Sequence, residues 1–190
     1  MSNTVLDEPR THAIRSPGCD APLHEIIDGV QSDLPPMGAY STFIVCELAY
    51  QLSRHVQRQQ RGVVAAQLLF VFERNHSRGR RPDVAFVSRE RCRQSPLPKT
   101  GDWDVVPDLA VEVISPNDDA SDLEEKLVEY FHFGVRQVWV LHPEQRRLYV
   151  HESLRQVSVL NENDSISGGD LFPGLSLPLA DLFAAVSLAE

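Results

Sequence analysis

Three side chains in this 190-residue sequence have surroundings that suit chemistry. Asp83 lies in Arg-Pro-Asp-Val-Ala-Phe-Val-Ser (81–88) and Glu112 in Pro-Asp-Leu-Ala-Val-Glu-Val-Ile-Ser-Pro (107–116). Both segments have the length and β-branched content of strands. Lys126, one of only two lysines among eighteen basic side chains, follows on a predicted helix. A carboxylate buried without a partner costs on the order of several kcal/mol. A buried pair therefore needs either a structural cation or a metal ion.

Two carboxylates on neighbouring strands can hold a divalent cation that keeps several waters, which suits Mg2+, with Mn2+ as an alternative. The backbone carbonyl of Val113, at the strand end, is a candidate third oxygen. Such a centre activates water and neutralises charge building on a phosphorus atom, the requirements of phosphodiester hydrolysis. Lys126 would orient the attacking water or stabilise the pentavalent phosphate, with a pKa lowered by burial near a metal. Structural readings stand beside these. Asp83 could cap a turn after Pro82, Glu112 could pair with an arginine of the 78–81 cluster, and Lys126 could pair on the surface with Asp122 or Glu129. Asp108 reads as a strand boundary. Glu25 and Glu47 could each add an outer metal contact.

Elements that would position these groups can be read along the chain. Residues 1–20 are polar and irregular and read as a flexible N-terminal segment, with one domain over 21–190. His24–Val30 reads as a short strand entering a turn at Gly29. Ile44, Leu48, Leu52 and Val56 recur every four residues, which predicts an amphipathic helix from about 39 to 58, stopped by Gly62. Residues 63–72 predict one strand or two, closing at 75–79. Residues 82–88 predict a strand with Asp83, Ala85 and Val87 on one face, and 89–106 a Pro-containing loop. The near-continuous apolar run 107–114 predicts a central strand buried on both faces, with Asp108, Ala110, Glu112 and Ile114 on one of them. Ser115-Pro116-Asn117 stops it. Ser121 and Glu124 form a capping box opening a helix that ends at Gly134. A strand follows at 137–141, then a hairpin at 147–152. The strand–helix–strand order predicts a right-handed crossover. The tail from 168 reads as an apolar lid with a short helix.

Net charge is −9, which argues against indiscriminate nucleic-acid binding. The distribution differs: residues 54–93 hold ten arginines against three acids, leaving about −16 for the rest. Arginine forks suit phosphate, so Arg54, Arg58, Arg78, Arg80 and Arg81 are candidates for contacts with a DNA backbone. A solvated arginine-rich helix and hairpin is the plainer explanation. No run of about 18 apolar residues predicts a membrane span. The start of the chain lacks a secretory signal pattern. Cys19, Cys46 and Cys92 lack metal-ligand spacing and read as free thiols of a cytoplasmic protein.

Several of these segments together resemble the Uma2 family, formerly a domain of unknown function. They are His-Glu-Ile-Ile-Asp-Gly (24–29), the amphipathic helix, the two strand motifs, Lys126 followed by Tyr130, Gly134-Val135 and Val138-Trp139-Val140. The tail Leu171-Phe-Pro-Gly-Leu-Ser-Leu177 extends the likeness, which runs from about 22 to 183. Uma2 is placed in the PD-(D/E)XK restriction endonuclease-like superfamily. The resemblance implies an α/β fold with a mixed central β-sheet flanked by helices. It aligns Asp83 and Glu112 with the superfamily's two strand carboxylates. Two residues after Glu112, where a lysine usually stands, this chain has Ile114; in Uma2 the lysine has moved to the following helix, here Lys126. Many members also carry a histidine near the start of the first helix, and Met37–Ser41 has none.

These readings converge on a Mg2+-dependent DNA endonuclease, a homodimer because cutting both strands needs two sites. The alternative is a catalytically inactive nuclease-fold module that binds nucleic acid or protein.

Overall fold

A computed structural model of the chain describes residues 22–73, 75–115 and 118–187. The expectations for the 1–20 segment, Cys19, Arg74, Pro116 and Asn117 lie outside the described residues. Strands β1 (His24–Ile27) and β2 (Val30–Asp33) form a hairpin rather than one strand and a turn. Asp28 and Gly29, at φ 52° and 76°, supply the two left-handed residues that the tightest hairpin connections require. Helix α1 (Ala39–Gln59) buries Ile44, Leu48, Leu52 and Val56, the predicted stripe. It ends at Gln59, close to the expected 58, but Gln60, at φ 52° and two residues before Gly62, adopts the left-handed cap. Gly62 instead opens β3 (Gly62–Ala66), where an added Cβ would lie 2.1 Å from the Val87 carbonyl oxygen. Close approach of two strands explains this glycine.

Strands β4 (Phe70–Val71) and β5 (Arg78–Arg80) join the hairpin in a four-stranded sheet ordered β2-β1-β5-β4. Next come β6 (Val84–Ser88) and α2 (Arg89–Gln94), a short helix inside the expected loop, capped by the Ser88 hydroxyl. The same segment sends Trp103 into the core, stacked on Phe70 at 6.0 Å.

Strand β7 (Leu109–Val113) is buried at every position, as a central strand should be. Helix α3 (Ala120–Phe133) is capped by Asp119, whose carboxylate accepts from the Ser121 N–H at 2.8 Å. The expected capping box is therefore replaced by a cap and a helix start two residues earlier. Gly134, at φ 92°, ends it as predicted. Strands β8 (Gln137–His142), β9 (Arg147–Ser153) and β10 (Gln156–Asn161) complete a six-stranded sheet ordered β10-β9-β8-β7-β6-β3. Only β7 and β8 pair in parallel, across α3, so the sheet is mixed.

Finally, β11 (Ser165–Ser167) pairs with β12 (Ser176–Pro178), and α4 (Leu179–Ser187) closes the described chain. The tail is core rather than lid: Leu171, Phe172, Leu177, Leu179, Leu182 and Phe183 bury with α1 against Leu109, Val111 and Val113. Ala110, Val138 and Val140 face the other way, toward Tyr130, Leu127 and Phe131 of α3. The central sheet thus lies between α1 and α4 on one face and α3 on the other. Among the described residues no helix is long and apolar enough to cross a membrane, and Cys46 and Cys92 are free thiols.

Candidate functional site

The alternation of β7 decides which groups meet. Val111 and Val113 turn toward α1, so Glu112 turns toward α3, where it is 6% exposed. Asp83, immediately before β6, brackets it. The Asp83 N–H donates to the Val111 carbonyl at 2.9 Å, and its Oδ2 accepts from the Val113 N–H at 2.7 Å. On α3, Lys126 and Tyr130 are four residues apart and so share a face. Lys126 Nζ lies 3.2 Å from Glu112 Oε2, and the Tyr130 hydroxyl donates to Glu112 Oε1 at 2.5 Å. Lys126 and Glu112 of the expected trio therefore meet, and Asp83 lies close enough for both charges to act on its carboxyl. Glu112 pairs with none of the 78–81 arginines, and Lys126 turns inward instead of pairing with Asp122 or Glu129.

Behind the trio runs a chain of alternating charge. Lys126 Nζ also lies 3.4 Å from Glu25 Oε1, and Glu25 is 2% exposed. Glu25 accepts from Arg80 Nη1 at 2.7 Å and from the Arg81 N–H at 3.1 Å. Arg80 Nε reaches Glu129 at 2.6 Å, Glu129 meets Arg78 at 3.2 Å, and Arg78 meets the exposed Asp28 at 2.7 Å.

The expected backbone-contact arginines have other surroundings. Arg80 is buried between Glu25 and Glu129. Arg81 donates to the carbonyls of His24 and Gln67, and Arg78 is half-buried in its ion pairs. Arg54 and Arg58 are exposed on α1, across the sheet from Glu112. Asp108 anchors backbone and arginine at the other end of β7, accepting from the Ser88 N–H at 2.7 Å with Arg91 at 3.3 Å. Glu47 accepts from Gln51 on α1. Of the two outer acids, only Glu25 joins the site.

Residues 19–180 match the model of the Uma2 family, whose description is putative restriction endonuclease. The chain belongs to the Uma2 family. Among solved structures this Uma2 chain is similar to a putative nuclease belonging to DUF820 from Anabaena variabilis, at 19% identity and a TM-score of 0.72. That likeness covers 86% of this chain and 90% of the other and concerns the fold. No curated protein matches the sequence.

The electrostatics of the Uma2 site follow from burial and crowding. Burial and the neighbouring Glu112 charge push the Asp83 carboxyl up to about 7. Glu112 is raised too, burial outweighing the pull of Lys126. For Lys126 the sequence expectation of a lowered pKa is reversed. Burial does pull it down, but Glu112 and Glu25 more than offset that, and the ammonium sits above the ordinary lysine range. Burial beside Glu112 holds the Tyr130 phenol far above its usual range.

Two mutually repelling carboxylates form a hard oxygen donor set that fits a divalent cation carrying several waters. Asp83 Oδ1 has no hydrogen-bond donor among the described residues, and each Glu112 oxygen retains a lone pair. Among the described residues no group of three or more His, Cys, Asp or Glu is placed to hold a metal ion, so the carboxylate ligands would be these two acids. The sequence reading missed what Tyr130, Glu129 and Arg80 do. Only the four-residue spacing of Lys126 and Tyr130 pointed toward it.

Proposed function

We propose that this protein is a metal-dependent endonuclease that hydrolyses phosphodiester bonds of DNA. The observation that carries the reading is the Glu112–Lys126 ion pair on the α3 face of the sheet, with the Asp83 carboxyl near enough to feel both charges. Asp83 and Glu112 would hold Mg2+ or Mn2+, with the Val113 carbonyl as a further oxygen. When bound, such a cation acidifies water and offsets charge on the phosphate. Lys126 enters as a charged group: it orients the nucleophilic water and stabilises negative charge on the transferring phosphorus. It does not take the proton, because its two acid partners keep it protonated. Arg78 and Arg81, at the edge of the ion chain, are the arginines this reading keeps for backbone contact. The described residues form one such site, so breaking both strands of a duplex takes two copies or two encounters.

The experiment is cleavage of supercoiled plasmid with Mn2+ or Mg2+, and with chelator. Cleavage should need the metal and vanish in Glu112→Gln and Asp83→Asn while circular dichroism stays unchanged. Cleavage surviving in folded Glu112→Gln would sink the reading.

One feature favours a second reading, a nuclease-fold module without catalysis. Both Glu112 oxygens already accept hydrogen bonds, from Tyr130 and Lys126, so the network closes on itself. That module would show no heat of Mn2+ binding, and any DNA binding would be unaltered in Glu112→Gln.

A further inference from the structure

Helix α1 is amphipathic in an unusual sense, because its outer face carries exposed aromatics among its charges. Among the described residues the exposed aromatics are Tyr40, Phe43 and Tyr50, at 41%, 60% and 54% exposure. All three lie on this helix. With Glu47, Arg54 and Arg58 they recur every three or four residues, which places them along one stripe. The stripe faces away from Ile44, Leu48, Leu52 and Val56, which are buried against the sheet. Leaving three large aromatics in water along one line forgoes a sizeable hydrophobic gain, and such patches mark contact surfaces.

We infer that this stripe docks against the same stripe of a second copy of the chain, α1 antiparallel to α1. The charge pattern argues for self-association. About a two-fold axis passing near Tyr50, Glu47 of one copy lies opposite Arg54 of the other, and the reverse pair forms by symmetry. Phe43 then lies near Arg58 of the other copy, a cation over a ring, as Arg54 already sits 5.3 Å from the Tyr50 centroid within one chain. An interface carrying both signs in register lets two chains of net charge −9 meet without repulsion at the contact. A nucleic-acid strand could also stack on exposed aromatics. Glu47 sits in mid-stripe, however, where it would repel phosphate, and α1 lies across the sheet from Asp83 and Glu112.

The test is sedimentation equilibrium of the full chain at tens of micromolar. The chain should run at twice its mass, and Phe43→Asp and Tyr50→Asp should each weaken the dimer at least tenfold. Because an aromatic-to-acid change can disturb folding, the charges give an independent arm. Glu47→Arg and Arg54→Glu should each weaken the dimer, and the double variant should restore it. A monomeric wild-type chain overturns the inference, and so does a dimer indifferent to both sets of changes. Loss of oligonucleotide binding in the stripe variants at unchanged mass would assign the stripe to nucleic acid and equally overturn it. None of these readouts depends on cleavage.

Discussion

Tyr130 donates its hydroxyl to Glu112 across 2.5 Å inside a site from which both are nearly excluded from water. The bond joins a buried acid of the central sheet to the helix that covers it, so the carboxylate cannot turn without breaking a contact. Tyr130→Phe keeps the ring and its packing against Phe72 and removes only the donor. The protein should lose about 1–3 kcal/mol of stability, the cost of a buried acceptor losing its partner. Urea unfolding would read this directly; an unchanged midpoint would show that the hydroxyl contributes nothing.

The raised Asp83 carboxyl gives the fold a pH signature. In the native state it holds its proton up to about 7, whereas the unfolded chain releases it near 3.8. Between those values the native state binds the extra proton, so stability falls as pH rises through the window and levels off above it. Glu112, also raised, adds to the same slope. Urea midpoints from about pH 4 to about pH 8 should decline in the wild type and decline less in Asp83→Asn. Mn2+, which favours the ionised pair, should restore stability most at the upper end of that range.

Lys126 has two acid partners, so removing one should not free it. With only two lysines in the chain, selective labelling gives two side-chain resonances, and the exposed Lys99 serves as the mobile reference. In Glu112→Gln the Lys126 side chain should stay ordered, held by Glu25 at 3.4 Å. In Glu25→Gln/Glu112→Gln its relaxation should approach that of Lys99. Release in the single variant would assign Glu25 no part in holding it.

Arg80 offers the contrast between a paired buried charge and a solvated one. Arg80→Met leaves Glu25 and Glu129 facing each other without the cation between them, and should cost about 3–5 kcal/mol. Arg93→Ala, exposed on α2, should change stability by less than about 0.5 kcal/mol. Thermal unfolding of the two variants separates the roles, and equal losses would contradict the pairing.

How far the sequence revealed this molecule depended on the range of each interaction. The helix carrying Leu48 and Leu52 was legible because its period repeats within twenty residues. Likewise, Glu112 was legible as an acid on a strand with no polar face to spare. Arg80 was not: its partners Glu25 and Glu129 lie 55 and 49 residues away, and nothing local marks an arginine as internal. Trp103 was hidden in a stretch of prolines and charges, and its place depends on Phe70 from a different sheet. Strand β10 escaped notice because Val157 and Val159 stay exposed at the sheet edge, so no buried alternation announces it. Gln60 took the cap assigned to Gly62 because the close contact with Val87 required a glycine two residues further on.

The placement of α1 and Glu112 on opposite sides of the same sheet separates attachment from access. Anything fastened to the outer aromatics leaves the approach to the acids open. Two copies joined there would turn their acids outward, back to back. Such a pair would not straddle the facing phosphates of a single break. It would bridge two duplexes, or two distant points of one looped molecule, each end working on its own strand.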